Sequence, residues 1–258
     1  MSRERFVLHT LGFNQARNAL SLARMSFMKE DRKTLKELLR TDRQRLFNMT
    51  EMLNKSTKVV LKNCFPEDTQ DGVIECLNKL LKFDHAAFLV ISPIDFIRDW
   101  LKQKGFGKAI SFPSAIVSKR LGERYLGKGR EIPTAIVKAE KPNKRKIEIF
   151  IPQIVDKNLL DGIVQTDISQ ELERHFAFMP RKRIDEPALK VLVNTITNNG
   201  FNPEGGGINP TEGLTTLYFT REGKDGRPIR IELICQGKFE DIVKNNYEKL
   251  YYEVSEYY

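Results

Sequence analysis

Two stretches of this chain repeat the same order of features, and this repetition restricts the fold more than any other property of the sequence. The motif HAAF begins at His85 and the motif HFAF begins at His175. Each stretch then ends in an alternating apolar segment with a glutamate inside it, KIEIFI around Glu148 and IELIC around Glu232. Features that recur in a fixed order predict one structural unit used twice.

The pattern within each stretch predicts its elements. Short apolar runs bounded by turn residues, and runs that alternate strictly, indicate strands. An amphipathic segment that ends at a glycine follows each first strand and predicts helices over 94–104 and 186–199. The two units therefore read as βαβββ modules over 83–152 and 173–237. The glycine-rich segment 204–210 is interpreted as a solvent loop, with a mobile flap over a cavity as the alternative.

The residues before the repeat are predicted to be helical, with helices over 13–64 and 67–82. The first helix has an apolar stripe at Leu35, Leu38, Leu39, Leu46, Met49 and Leu53, and a basic face at Arg32, Lys36, Arg40 and Arg43. The predicted fold class is α+β, with two βαβββ modules forming a cupped mixed sheet. The predicted domains are a helical region, 1–82, and a region of paired modules with a C-terminal helix, 83–258.

Positive charge is concentrated at the start of the chain. Residues 1–62 contain 14 Lys and Arg against 6 Asp and Glu, a net charge of +8, while the whole chain carries +9. Such a segment can meet nucleic acid, an acidic partner or an anionic substrate. A solvated helical face is the interpretation we favour, so nucleic acid is a possible partner but not the preferred one. A second basic run, with Arg120, Arg124, Lys128 and Arg130, can likewise meet an anionic substrate, although most runs of this kind are simply solvated.

Two further features bear on location. No run of about 18 apolar residues is present, which argues against a membrane partner, and the N-terminus lacks the pattern of a secretory signal. The three cysteines, Cys64, Cys76 and Cys235, are scattered and form no CxxC pair. Free thiols of this kind are typical of a reducing compartment, and we expect the protein to be cytoplasmic. The sequence does not predict the oligomeric state.

The candidate chemistry lies in the repeated histidines and glutamates. A glutamate between two apolar strand residues faces the side of the sheet opposite to them, and a buried carboxylate there needs a cation or strong donors. Any one of these residues alone fits an ordinary core or surface position. The joint pattern of His85, Glu148, His175 and Glu232 at matching places favours a site for a divalent metal ion. Neutral imidazoles and carboxylates suit Fe(II), Mn(II), Ni(II), Co(II) or Zn(II).

This arrangement resembles the vicinal oxygen chelate superfamily, which includes glyoxalases, bleomycin resistance proteins and extradiol dioxygenases. The resemblance implies two βαβββ modules in a cupped sheet, with ligands from the first and last strands of each. A helical region followed by Asp84-His85-Ala86-Ala87 is similar to the 2-oxoadipate dioxygenase/decarboxylase family. That resemblance implies Fe(II) held by His85, His175 and Glu232. The family has a substrate-binding arginine four residues after the first histidine, where this chain has Leu89.

Three functions follow as hypotheses. The first, which we favour, is an Fe(II) dioxygenase of the 2-oxo acid type that acts on a small oxygenated metabolite, with His85, His175 and Glu232 as ligands. The second is a metal-dependent isomerase or lyase of the glyoxalase type, in which Glu148 is a fourth ligand or the catalytic base. For the metal site in general, Fe(II) is favoured, and Zn, Ni, Mn or Co are alternative ions. The third is a metal-free binding or regulatory protein on the same fold.

Overall fold

The order of helices and strands repeats as the sequence predicts. The protein is described by a computed structural model that covers residues 32–154 and 156–246. The first unit contains β1 (Leu81–Leu89), α4 (Ile94–Gln103), β2 (Ile110–Pro113), α5 (Ala115–Leu126), β3 (Thr134–Glu140) and β4 (Lys146–Pro152). The second contains β5 (His175–Pro180), α7 (Glu186–Thr197), β6 (Asn202–Asn209), β7 (Leu214–Glu222) and β8 (Pro228–Gln236). Two βαβββ units are thus confirmed, with α5 as an addition in the first.

The remaining elements precede, separate and follow these units. They are α1 (Arg32–Asn54), α2 (Thr57–Cys64), α3 (Asp71–Leu80), α6 (Lys157–Ile163) with a π-helical turn (Val164–Ile168), and a helix described over 240–246. The strands form one open mixed sheet in the order β2-β3-β4-β1-β5-β8-β7-β6. None of the described helices combines the length and apolar character needed to cross a bilayer.

The chain forms two compact units that do not follow the sequence repeat. One takes in the described residues up to Asn48, with Phe88–Pro142 and Glu148–Glu173. The other takes in Met49–Ala87, Asn143–Ile147 and the described residues from Arg174 onward. The predicted division at residues 82 and 83 falls at the start of β1. That division into a helical region and paired modules stays a prediction.

The helical region differs from its prediction at two points. The predicted helix 13–64 is interrupted, because Ser56 caps a new helix by accepting a hydrogen bond from the amide of Val59. The part of the predicted helix 13–64 before residue 32, and the side chains of residues 32–38, lie outside the residues that the structure describes. The predicted helix 67–82 begins later, at Asp71, because a turn precedes it, in which the amide of Thr69 donates to the carbonyl of Pro66.

The first helix is amphipathic in its described part. Leu46 and Leu53 are fully buried, and Met49 is nearly so, whereas Arg40 and Arg43 are exposed. This confirms the predicted stripe and the predicted basic face at these positions.

The glycine-rich segment is a strand and not a loop, so that interpretation was wrong. In β6 a register shift lies between Pro203 and Gly206, where the strand pairs with β7. A Cβ atom at Gly206 would lie 2.3 Å from the carbonyl oxygen of Thr216, so only glycine allows this approach. The glycines therefore serve a bulged edge strand.

Candidate metal centre

The two predicted histidines lie on neighbouring antiparallel strands and face each other diagonally. In the pairing of β1 with β5, His85 is opposite Ala177, and Ala87 is opposite His175. Residues opposite each other in a ladder share one face of the sheet. The two imidazole rings meet edge to face, with centroids 5.6 Å apart. The repeat of the motif thus places both rings at one point.

The second βαβββ unit, which begins with β5, supplies the carboxylate. Strand β8 pairs with β5 in parallel, and Glu232 is opposite Ala177. Ala177 therefore has His85 on one side and Glu232 on the other. Its small methyl group leaves room for these two larger side chains to meet above it. The Nε2 atom of His85 lies 3.2 Å from Oε2 of Glu232, and the Nε2 atom of His175 lies 3.1 Å from the same oxygen.

This group fits a first-row divalent ion. One ligand atom from each of His85, His175 and Glu232 lies within 4.8 Å of the others, and all three residues are buried. Two ligands at right angles around an ion, each about 2.1 Å from it, stand about 3 Å apart, which matches the separations above. Two neutral nitrogens and one carboxylate form the donor set of the facial triad of non-haem iron sites.

Asp84 orients the first histidine. The strand is irregular between Phe83 and His85, and this bulge brings the Asp84 carboxylate to the Nδ1 atom of His85, at 3.1 Å. Asp84 also accepts a hydrogen bond from Nζ of Lys146 at 3.0 Å. With a metal ion bound, Nδ1 of His85 would donate to Asp84 and leave Nε2 with the lone pair that binds the ion. Bulges often re-aim side chains in this way beside functional sites.

Strand β7 adds a tyrosine. Tyr218 is opposite Glu232 in the ladder, and its hydroxyl donates to Oε1 of Glu232 over 3.3 Å. Its ring packs edge to face on His175, with centroids 6.1 Å apart. The two oxygens of Glu232 thus have different partners, Oε2 the histidines and Oε1 the tyrosine. A further charge on the same face of β8, Arg230, forms an ion pair with Glu204.

The surroundings keep the carboxylates of this group ionised. Burial of Glu232 opposes its ionisation, but hydrogen bonds from His175 and His85 outweigh burial and hold the pKa of the carboxyl well below its usual range. Burial also opposes the ionisation of Asp84. The hydrogen bond with His85 and the charges of His85 and Lys146 outweigh it and lower the pKa of this carboxyl. An ionised Glu232 is the form that binds a cation.

The fourth predicted residue is not part of this group. The Glu148 carboxylate lies 2.6 Å from Nζ of Lys138 and forms an ion pair with it. The role of Glu148 as a catalytic base stays a prediction.

The predicted basic run is also engaged within the protein. Arg124 forms ion pairs with Asp167 and Glu173, and Arg120 forms one with Glu173 at 3.4 Å. Both carboxylates are buried. These two arginines therefore balance buried acids, and contact of the basic run with an anionic substrate stays a prediction.

Comparison with known proteins gives similarities at the level of structure. No family model matches the chain, and no curated protein matches it in sequence. A hypothetical protein from Bacillus halodurans, BH1468, has 13% identity and a TM-score of 0.37, with 59% of this chain and 94% of that chain covered. Methylmalonyl-CoA epimerase from Mycobacterium tuberculosis has 12% identity and a TM-score of 0.35, with 58% of this chain and 86% of that chain covered.

A third structure covers more of the chain. Hydroxyglutarate synthase from Oryza sativa, solved with 2-oxoadipate, has 10% identity and a TM-score of 0.41, with 78% of this chain and 82% of that chain covered. All these scores are low, and the fold rests on the strand order and repeated units of the chain itself. Those units are the arrangement that the resemblance to the vicinal oxygen chelate superfamily implies.

Proposed function

We propose that this chain is a mononuclear metal-dependent enzyme that acts on a small oxygenated metabolite. His85, His175 and Glu232 would hold a divalent ion, with Fe(II) favoured. The observation that carries the proposal is the convergence of these three buried side chains on one point. An ionised carboxylate at such depth calls for a positive partner, and an ion at the centre of the group provides one for Glu232.

The reaction class we favour is dioxygenation of a 2-oxo acid. The engagement of Glu148 by Lys138 supports a three-ligand set over the four-ligand set of the isomerase and lyase hypothesis. A bound Fe(II) ion would supply Lewis acidity and the capacity to react with O2. The chain's own residues do the positioning: Asp84 fixes the orientation of His85, and Tyr218 donates a hydrogen bond to Glu232.

Substrate recognition in this chain must differ from that in the resembled family. Leu89 is buried and carries no charge where the resembled family has its arginine. Recognition of a substrate carboxylate must then come from another residue. A panel of substrates is therefore the appropriate test, covering 2-oxo acids that differ in chain length and in having one or two carboxylates.

The metal is tested first and activity second. Protein purified without chelator and without a nickel column is expected to contain a divalent first-row metal in stoichiometric amount by elemental analysis. His175→Ala should lose that metal while retaining its far-UV circular dichroism. Lys190→Ala, a change at an exposed helix position of the same compact unit, is the matched control and should keep it.

Oxygen consumption by the Fe(II)-loaded protein then separates the reaction classes. Uptake of O2 that depends on a 2-oxo acid and is absent in His175→Ala supports the dioxygenase. Metal-dependent turnover without O2 uptake would favour an isomerase or lyase. A protein that retains no metal under these conditions would contradict the proposal and leave the metal-free binding protein as the better hypothesis.

A further inference from the structure

A cavity of about 540 Å³ lies in the compact unit that contains the described residues up to Asn48 and Phe88–Pro142. It is formed by α1 and by α4 with the residue after it. The lining residues are Arg43, Phe47, Phe96, Asp99, Trp100, Gln103 and Lys104. This volume falls within the range of sites for small organic ligands.

The cavity combines aromatic rings with positive charge. The guanidinium carbon of Arg43 lies 5.3 Å from the ring centroid of Phe96. Nζ of Lys104 lies 6.0 Å from the ring of Phe47 and 5.8 Å from that of Trp100. Phe47 is 47% exposed. A cation therefore lies over one face of each of these three rings.

The two remaining lining residues add hydrogen-bonding groups. The carboxylate of Asp99 accepts hydrogen bonds, and the amide of Gln103 both donates and accepts them. A ligand that matches all of these groups has a flat aromatic ring, polar ring edges and a negative charge. A nucleobase joined to a phosphate has all three.

We propose that this cavity binds a nucleotide unit. The base would replace the Lys104 ammonium over the rings of Phe47 and Trp100, with its edge toward Asp99 and Gln103. The displaced Lys104 would then meet the phosphate together with Arg43. Stacking on aromatic side chains beside cations is how proteins hold single nucleotide units. Within the same compact unit, residues 32–48 contain six Lys and Arg against two Asp and Glu, and this positive charge attracts phosphates. The inference does not depend on the proposed metal chemistry.

The experiment uses the only tryptophan of the chain, Trp100, as the reporter. The full-length protein is titrated with adenosine monophosphate, and the fluorescence is corrected for absorption by the nucleotide. Saturable quenching is expected. The double variant Arg43→Ala with Lys104→Ala should weaken binding about tenfold or more, since each cation contributes a charge-assisted contact. Lys102→Ala removes an exposed cation of the same helix that does not line the cavity, and it should change binding less than about twofold.

Two further arms identify the ligand. Inosine monophosphate lacks the exocyclic amino group of adenine, which would donate a hydrogen bond to the Asp99 carboxylate. It should therefore bind more weakly than adenosine monophosphate, and Asp99→Asn should reduce this difference in affinity. A short single-stranded oligoadenylate is compared with the mononucleotide. Tighter binding of the strand assigns the site to nucleic acid, whereas equal binding per nucleotide assigns it to free nucleotides, and each result supports a nucleotide unit.

Three results would overturn the proposal. The first is the absence of any saturable change in Trp100 fluorescence with either probe. The second is a loss in Lys102→Ala as large as in the double variant, which would show only general attraction to positive charge. The third is equal affinity for inorganic phosphate and for adenosine monophosphate, measured by competition, since the base would then contribute nothing.

Discussion

The last strands of the two repeated units each carry a glutamate between apolar neighbours, yet the two carboxylates have different partners. Glu148 in β4 forms an ion pair with Lys138 of β3. Glu232 in β8 has Tyr218 of β7 across from it and two histidines against its other oxygen. The repeat thus provides two equivalent carboxylate positions, and the side chain on the preceding strand distinguishes them.

This difference has an electrostatic meaning. The ammonium group of Lys138 balances Glu148 within the chain itself. Glu232 is held instead by two imidazoles and a phenol. A carboxylate with partners of this kind keeps its affinity for a divalent ion, whereas one already paired with lysine must give up that partner first. We therefore expect the second unit to supply the metal-binding carboxylate.

The largest expected effect comes from exchanging each glutamate for glutamine. Glu232→Gln should abolish metal binding, because a neutral amide is a poor ligand for a hard divalent ion beside two imidazoles. Glu148→Gln should leave metal content unchanged. Elemental analysis of the two variants, purified in parallel, measures the difference. Equal loss of metal in both would show that the two carboxylates act together as ligands.

The residues before the two histidines give the next comparison. Asp84 precedes His85 and hydrogen-bonds to it, whereas Arg174 precedes His175. Asp84→Asn should lower metal affinity by about 10- to 100-fold, the usual effect of removing a carboxylate that orients a histidine ligand. Arg174→Gln should have a smaller effect. Metal affinity is measured by competition with a chelator. A larger loss of metal affinity in Arg174→Gln than in Asp84→Asn would show that Asp84 is not the residue that supports the ligands.

Two alanines at equivalent places provide a third and smaller contrast. Ala177 has a ligand on each side, His85 and Glu232, whereas Ala87 is opposite His175. Both are fully buried, so a valine at either should destabilise the fold by about 1–3 kcal/mol through overpacking. Only Ala177→Val displaces two ligands, and its metal affinity should fall further than that of Ala87→Val, by about tenfold. Chelator competition measures the metal affinity and urea unfolding measures the stability. Equal metal affinities of the two variants would contradict the placement of Ala177 between His85 and Glu232.

The candidate ligands were predictable because strand alternation and repetition are local properties of a sequence. The position of Tyr218 was missed, although a signal existed. Tyr218 and Glu232 each stand seven residues from Asp225, in the Asp-Gly turn of a hairpin, so the register of that hairpin places them opposite each other. The role of Asp84 depends on a bulge, which alternation cannot show.

Other features depended on distant parts of the chain. The parallel pairing of β5 with β8 is set by the packing of the whole sheet, and no short motif encodes it. Strand β6 was missed because its glycines are typical of a loop, and only the close approach of Thr216 explains Gly206. The ion pair between Lys138 and Glu148 joins two strands whose register the sequence does not fix.

The smallest expected effect is a change in acid stability of the metal-free protein. The pKa of Glu232 is lower in the folded state than in the unfolded chain, because hydrogen bonds from the histidines outweigh burial. Its contribution to stability is therefore present above the unfolded pKa of about 4.3 and is lost as the pH falls below it. Glu232→Gln removes this titration, so the free energy of unfolding should fall less steeply between about pH 5 and pH 3 than in the wild type. Urea unfolding with chelator present, at a series of pH values, measures the slope. Glu148→Gln should retain the part of the slope that Glu232 produces, and a wild-type slope in Glu232→Gln would show that the histidines do not hold this carboxylate in its ionised form.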